Sequence, residues 1–227
     1  MASGNIGFNC EGLPFYHVVT VNPKAQVDQE DDLTVCNEDE ILIQFTTEIS
    51  GGNMTYSWTN DNDAIGVPES GIGDINYPAT NTTDAPISGN IVVIPSFENG
   101  GNINVGDPIE FVITVNPTGQ VNTIPSQIVS NGFETTLIEF TTTNNNLLGG
   151  TTVFNWENDL TGINLHESDS GDIPTFTAIN EGNSPVTATV TVTPTFVNNG
   201  VSCNGPATPF EIIVNPTAQV NSITSII

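Results

Sequence analysis

The chain has 227 residues, of which 26 are Asp or Glu and 1 is Lys or Arg, for a formal net charge of −25. Such a surface repels phosphate backbones and anionic headgroups and has no basic patch from which counterions could be released, so nucleic acid and anionic membranes are excluded as partners. Charged residues are nevertheless only 12% of the chain and apolar residues 37%, which argues for a packed fold suited to salty surroundings rather than an acidic disordered tail.

No apolar run approaches the about 20 residues needed to cross a bilayer as a helix, so direct membrane insertion is not expected. No basic leader with an apolar core opens the chain. Given the extracellular character argued below, that is the expectation for a window on a longer exported protein.

In chain order, residues 5–23 hold an alternating segment in which Phe15, Val19 and Val21 keep the spacing that Ile109, Ile113 and Val115 show later. The segment ends in Val21-Asn22-Pro23. That tripeptide recurs as Val115-Asn116-Pro117 and Val214-Asn215-Pro216, at intervals of roughly 95–100 residues, the signature of a repeat array. Each copy is followed by a similar tag: Ala25-Gln26-Val27, Gly119-Gln120-Val121 and Ala218-Gln219-Val220. Residues 1–23 therefore read as the terminal strand of a preceding repeat and 24–117 and 118–216 as two complete repeats. Residues 217–227 read as the first strand of a following one.

Inside a repeat the hydrophobic period is 2, as in half-buried strands. Ile41, Ile43 and Phe45 alternate with Leu42, Gln44 and Thr46, then Met54, Tyr56 and Trp58 with Thr55, Ser57 and Thr59. Ile109, Phe111, Ile113 and Val115 close the first copy in the same rhythm. The second copy matches in register: Ile138 to Phe140, Phe154-Asn155-Trp156, Gly171-Asp172-Ile173 and Pro194-Thr195-Phe196. Gly, Asn, Asp and Pro clusters separate these runs, and no 3.6-residue stripe with caps appears. Strands are expected near residues 26, 43, 56, 66, 76, 91 and 112. The fold class is thus all-β, tandem Ig-like seven-stranded β-sandwiches with almost no helix. Trp58 and Trp156 are expected to plug the two cores against Phe45 and Phe140.

The stretches Thr34-Val35-Cys36-Asn37, Trp58-Thr59-Asn60-Asp61-Asn62, Ala79-Thr80-Asn81-Thr82-Thr83 and Ile113-Thr114-Val115-Asn116-Pro117 resemble the PKD-like repeats of giant Bacteroidota surface proteins, a group that includes gliding-motility adhesins. The resemblance covers nearly the whole chain. It implies export by a type IX system and display as a long, filament-like adhesin on the cell surface. The family pattern often carries one cysteine near the second strand and another just before the last, and this chain departs from it. Cys36 faces Asn104 at the partner position of its own repeat, and Cys203 faces Ser130. Cys10 stands at the same offset from Val21 as Cys203 does from Val214. The 3 cysteines cannot all pair within one chain, so no conventional intradomain disulfide is expected. A Cys10–Cys36 bridge near the first junction is left open.

Catalytic chemistry is not signalled, and no enzyme or cofactor is expected. His17 and His166 have neither triad nor metal-ligand spacing. There is no phosphate loop or Gly-x-Ser-x-Gly elbow, and no Arg to hold an oxyanion. The oxygen-rich turns are a candidate calcium set, either Asp28, Asp31 and Asp32 or Asp61 and Asp63. Asp and Asn are equally ordinary turn formers. The functional expectation is a spacer of an extracellular adhesin or filament acting in adhesion or gliding. Its partners would be neighbouring repeats or like subunits, with surface polysaccharide a further option. Two alternatives remain: a filament subunit joined by strand exchange through residues 5–23, and a glycan-binding module, which would need an exposed aromatic platform.

Overall fold

The computed structural model describes residue 7, residues 12–144 and residues 149–220. The first repeat contains β1 (Leu33–Cys36), β2 (Glu40–Ile43), β3 (Asn53–Asn60), β4 (Ser70–Ile72), β5 (Ile75–Pro78), β6 (Ile87–Asn99), β7 (Asn102–Val105) and β8 (Ile109–Asn116). The second contains β9 (Gln127–Ser130), β10 (Thr151–Asn158), β11 (Ser168–Ser170), β12 (Val186–Asn198), β13 (Val201–Asn204) and β14 (Thr208–Asn215). No α-helix occurs among the described residues, only short 3-10 turns such as Asp63–Ile65 and Thr161–Ile163.

The larger sheet of the first repeat runs β1-β8-β6-β3-β4, with β7 paired to β6, and the pair β2-β5 forms the second sheet. In the second repeat the order is β11-β10-β12-β14-β9, with β13 on β12. There the isolated bridges Glu134↔Thr177 and Ile138↔Ile173 stand where β2 and β5 pair in the first. In both units the opening strand lies parallel to the closing one, Leu33 beside Ile113 and Ile128 beside Ile213, while the other strand pairs are antiparallel. A first strand closing in parallel on the last, with a tryptophan on the strand that pairs with the long hairpin, is Ig-like sandwich topology.

Each unit has its own core. Ile41, Trp58, Ile75, Ile91, Phe111 and Ile113 are among the buried cluster of the first, and Ile138, Trp156, Ile173, Val190, Phe210 and Ile212 of the second. Phe45 and Phe140 are buried with them. The expected Trp–Phe packing is refined: Phe45 rests on Tyr56 at 5.6 Å and Trp58 meets Tyr77 edge-on at 6.2 Å, whereas Phe140 rests on Phe154 at 5.6 Å. The repeated Gly-Asp-Ile motif explains how the tryptophans are seated. Gly73 and Gly171 take φ of 81° and 76°, which a β-carbon would disfavour. Their carbonyls accept the indole Nε1–H of Trp58 (3.0 Å) and Trp156 (3.1 Å), and the adjacent Asp74 and Asp172 accept the amides of Phe45 and Phe140.

Two expected positions move and one strand is added. No strand forms near residue 26; that stretch is held by Asp28 N–H donating to the Thr46 carbonyl (2.9 Å), and the first strand comes later, at β1. The position near 66 falls at the end of the 3-10 turn, where Gly66 takes φ 96°, and the strand shifts to β4. Finally, β6 spans 13 residues and turns back as β7 through Gly100 and Gly101, both at positive φ. The pair of positive φ values matches the right-handed strand twist in a two-residue hairpin.

Candidate functional site

The carboxylates proposed as calcium ligands are used singly. Asp28 Oδ2 accepts the Thr46 hydroxyl (2.6 Å), Asp32 Oδ1 the Val112 amide (2.8 Å) and Asp61 Oδ1 the Asn90 amide (2.7 Å). Asp31 is exposed, and Asp63 sits in the first turn of the 3-10 segment. Among the described residues, no three His, Cys, Asp or Glu side chains gather in a metal-binding group. Asp28 and Asp31 do approach Glu30, whose carboxyl is raised above its ordinary pKa by partial burial first and by those two charges second. Burial, then Asp28 and Asp74, likewise raises the Tyr56 phenol. His17 and His166 are both exposed. The exposed aromatics among the described residues are Phe15 and Tyr16, adjacent in the leading segment, and Phe133 in the second repeat.

The most elaborately built feature is the joint between the sandwiches. The tip of the β12–β13 hairpin turns through Asn199 (φ 50°) and Gly200 (φ 77°) and reaches back to the end of β8. Asn198 Nδ2 donates to Asn116 Oδ1 at 2.9 Å, and Asn116 Nδ2 donates to the Asn198 carbonyl at 3.4 Å. Asn116 is 0% exposed and Asn198 7%. Amides buried so deeply are costly unless partnered, so each secures the other. Around this pair Asn37 Nδ2 donates to Thr118 Oγ1 (3.4 Å), Asn199 Nδ2 to Thr34 Oγ1 (3.3 Å), and the Gly119 amide to the Cys203 carbonyl (3.3 Å).

A disulfide closes the joint. Cys36, the last residue of β1, is bonded to Cys203 on β13, with Cα atoms 5.5 Å apart and a sequence separation of 167. This corrects the Cys10–Cys36 pairing, because Cys36 is already committed and a sulfur forms one such bond. The hairpin of the following repeat brings the distant cysteine over the junction. Cys10 itself lies outside the described residues.

The same arrangement appears one repeat earlier. Asn99, at the tip of the β6–β7 hairpin, donates to Asn22 Oδ1 (3.0 Å), and Asn22 Nδ2 donates back to the Asn99 carbonyl (3.0 Å). Asn104 occupies the place of Cys203 and donates to the carbonyls of Pro23 (3.0 Å) and Asn22 (3.3 Å). At the far end Asn131 Nδ2 donates to Thr217 Oγ1 (2.9 Å) as Asn37 does to Thr118, and Ser130 replaces Cys36. Two glycines give the linking chain room: a β-carbon on Gly106 would run into the Ala25 carbonyl, and one on Gly205 into the Gly119 carbonyl. The sequence did expose the Asn-Pro junctions. It did not expose the hairpin asparagines, although Asn199-Gly200 is a strong hairpin signal.

Comparison with known proteins fits this architecture loosely. No protein-family model matches the chain, and no curated protein matches it. Among solved structures, the fibronectin(III)-like modules of Clostridium thermocellum CbhA are 11% identical, with 88% of this chain and 100% of that chain covered, at a TM-score of 0.35. The insect immune protein hemolin is 16% identical over 86% of this chain and 48% of its own, at 0.34. Mouse cadherin-23 EC22–24 is 15% identical over 85% and 64%, also at 0.34. Superpositions this loose decide nothing by themselves. The class, tandem Ig-like β-sandwich repeats, follows from the strand pairing and the two cores. No helix among the described residues is long and apolar enough to cross a membrane.

Proposed function

We propose that this chain is a two-repeat stretch of an extracellular adhesive array, in which the sandwiches are non-catalytic spacers and the joints set their mutual angle. The observation that carries this reading is the recurrence of one reciprocal asparagine pair, Asn116 with Asn198 and Asn22 with Asn99. Asn22 sits on a segment whose apolar residues Leu13, Phe15, Val19 and Val21 are exposed, whereas the matching residues Ile113 and Val115 of β8 are fully buried. The remaining strands of a preceding repeat would cover that segment. A disulfide fits an oxidising compartment outside the cytosol, and the acidic surface favours solubility in salt. The 13-residue β6 and β12 would make each spacer about 40 Å long at ~3.3 Å per residue. The resemblance to PKD-like repeats extends the reading to a cell-surface adhesin, one of gliding cells that use type IX secretion, with surface polysaccharide as a distal partner.

Antibody raised against this chain tests the reading on cells producing the parent protein. Intact cells should be labelled without permeabilisation; labelling that needs permeabilisation overturns it. Strand exchange through residues 5–23 is the weaker reading, because β8 and β14 already fill the last-strand positions of both sandwiches. Light scattering separates the two, with a monomer near 24.0 kDa expected for a spacer and regular polymers for exchange.

A further inference from the structure

We propose that the Cys36–Cys203 bond is a load bypass, which carries tension across the repeat pair and shields both sandwiches from unravelling. The inference rests on the array reading only in assuming that pull arrives along the chain. Force entering at the first junction runs through residues 24–36 to the sulfur of Cys36. There it crosses to Cys203 and leaves through residues 203–216. The bonded Cα atoms are 5.5 Å apart, yet 167 positions of sequence lie between them. That intervening chain includes the rest of the first sandwich, the joint and most of the second. None of it can be extended while the bond holds, whatever happens to its hydrogen bonds.

Placement makes the bypass nearly complete. Cys36 ends the first strand of the first sandwich, and Cys203 lies on the strand just before the last of the second. What remains extensible is β1 with its leader and β13–β14, about 90 Å of chain at 3.3–3.6 Å per residue. The bond withholds about 570 Å by the same measure. Neighbouring joints lack it: Asn104 stands at the Cys203 position of the first repeat and Ser130 at the Cys36 position of the second. Among the described residues the contacts at Asn22 and at Thr217 are hydrogen bonds, which would give way before the stapled joint.

The test is single-molecule stretching of the full 227-residue chain between handles on its two termini. The oxidised chain should release no more than about 90 Å from its sandwiches. After reduction of the same folded molecule by a phosphine, two further steps totalling about 570 Å should appear. Cys36→Ser and Cys203→Ser should each behave as the reduced chain. If a variant fails to fold, reduction in the trap still decides the matter. Full-length release from the oxidised chain, or no change on reduction, overturns the bypass. Its failure is distinct from that of the array reading: cells labelled only after permeabilisation, beside a shortened release in the trap, remove the array and leave the bypass. The opposite pair of results does the reverse.

Discussion

Asn198 hands its amide protons to the side chain of Asn116 and receives the latter's on its own carbonyl, so two buried polar residues from different repeats complete each other. Replacing Asn198 by alanine keeps its main-chain carbonyl as acceptor for Asn116 Nδ2 but leaves the buried Asn116 Oδ1 without its donor. Asn198→Ala should therefore cost about 1–3 kcal/mol of coupling between the sandwiches. The joint, not either fold, should loosen. Urea unfolding should change from one transition towards two, and small-angle scattering should report a wider spread of end-to-end distances. A variant that keeps a single transition and the parental scattering profile would remove the pair from its proposed role.

The cysteine assignment has a chemical readout. Non-reducing peptide mapping should recover Cys36 linked to Cys203, with Cys10 the one cysteine alkylated after denaturation. Cys36→Ser should lower the resistance of the pair to urea by about 2–4 kcal/mol, since the bond restrains a long loop in the unfolded chain. A recovered Cys10–Cys36 peptide would contradict the joint geometry.

The sandwich was legible because period-2 alternation and the tryptophans are local signals: Ile41, Ile43, Trp58 and Trp156 all lie where the alternation puts them. The joint was not, for a physical reason. Its residues are Asn, Gly and Thr, the same types that form turns, and Asn116 meets Asn198 across 82 positions of sequence. Nothing in either neighbourhood distinguishes a turn asparagine from one that docks. Cys36 and Cys203 were hidden by a separation of 167 positions, because the bond joins the closing end of one repeat to the hairpin of the next rather than two strands of one sandwich. The acidic turns hold a use that their composition does not reveal: Asp32 and Asp61 accept the amides of Val112 and Asn90.

That use of aspartate is testable. Asp159 accepts the Thr189 amide at 2.7 Å as Asp61 accepts that of Asn90, so the two hold equivalent posts. Asp61→Ala should cost about 1 kcal/mol. The melting temperature of the parent chain should be the same in chelator and in millimolar calcium. A rise with calcium that disappears in Asp61→Ala would instead establish a cation at this turn.

Gly205 is where the chain leaving the joint crosses the second sandwich. A methyl group there would overlap the Gly119 carbonyl, which is backbone and cannot swing aside. Gly205→Ala should destabilise by about 1–3 kcal/mol, the range for overpacking, and Gly106→Ala should do likewise against Ala25. Substitution of Gly132, whose β-carbon would meet open space, tests a different effect: its φ of 82° makes the cost one of backbone conformation, about 1 kcal/mol. Similar losses at Gly205 and Gly132 with no change in scattering would argue against a crowded crossing.

Glu30 supplies the pH dependence. Partial burial, then Asp28 and Asp31, raises its pKa in the folded chain. Between the ordinary carboxylate range and that raised value the folded state holds more protons than the unfolded one. Stability then falls as pH rises through the window and stays lowered above it. Glu30→Gln removes the penalty, so it should melt higher than the parent at neutral pH, and the difference should vanish below the ordinary carboxylate range. The group is largely solvated, so the gain should stay under about 1 kcal/mol. Added salt should shrink the part due to Asp28 and Asp31 and leave the part due to burial. A variant less stable than the parent at neutral pH would mean that Glu30 is held by a favourable contact, and that its neighbours are not the source of the cost.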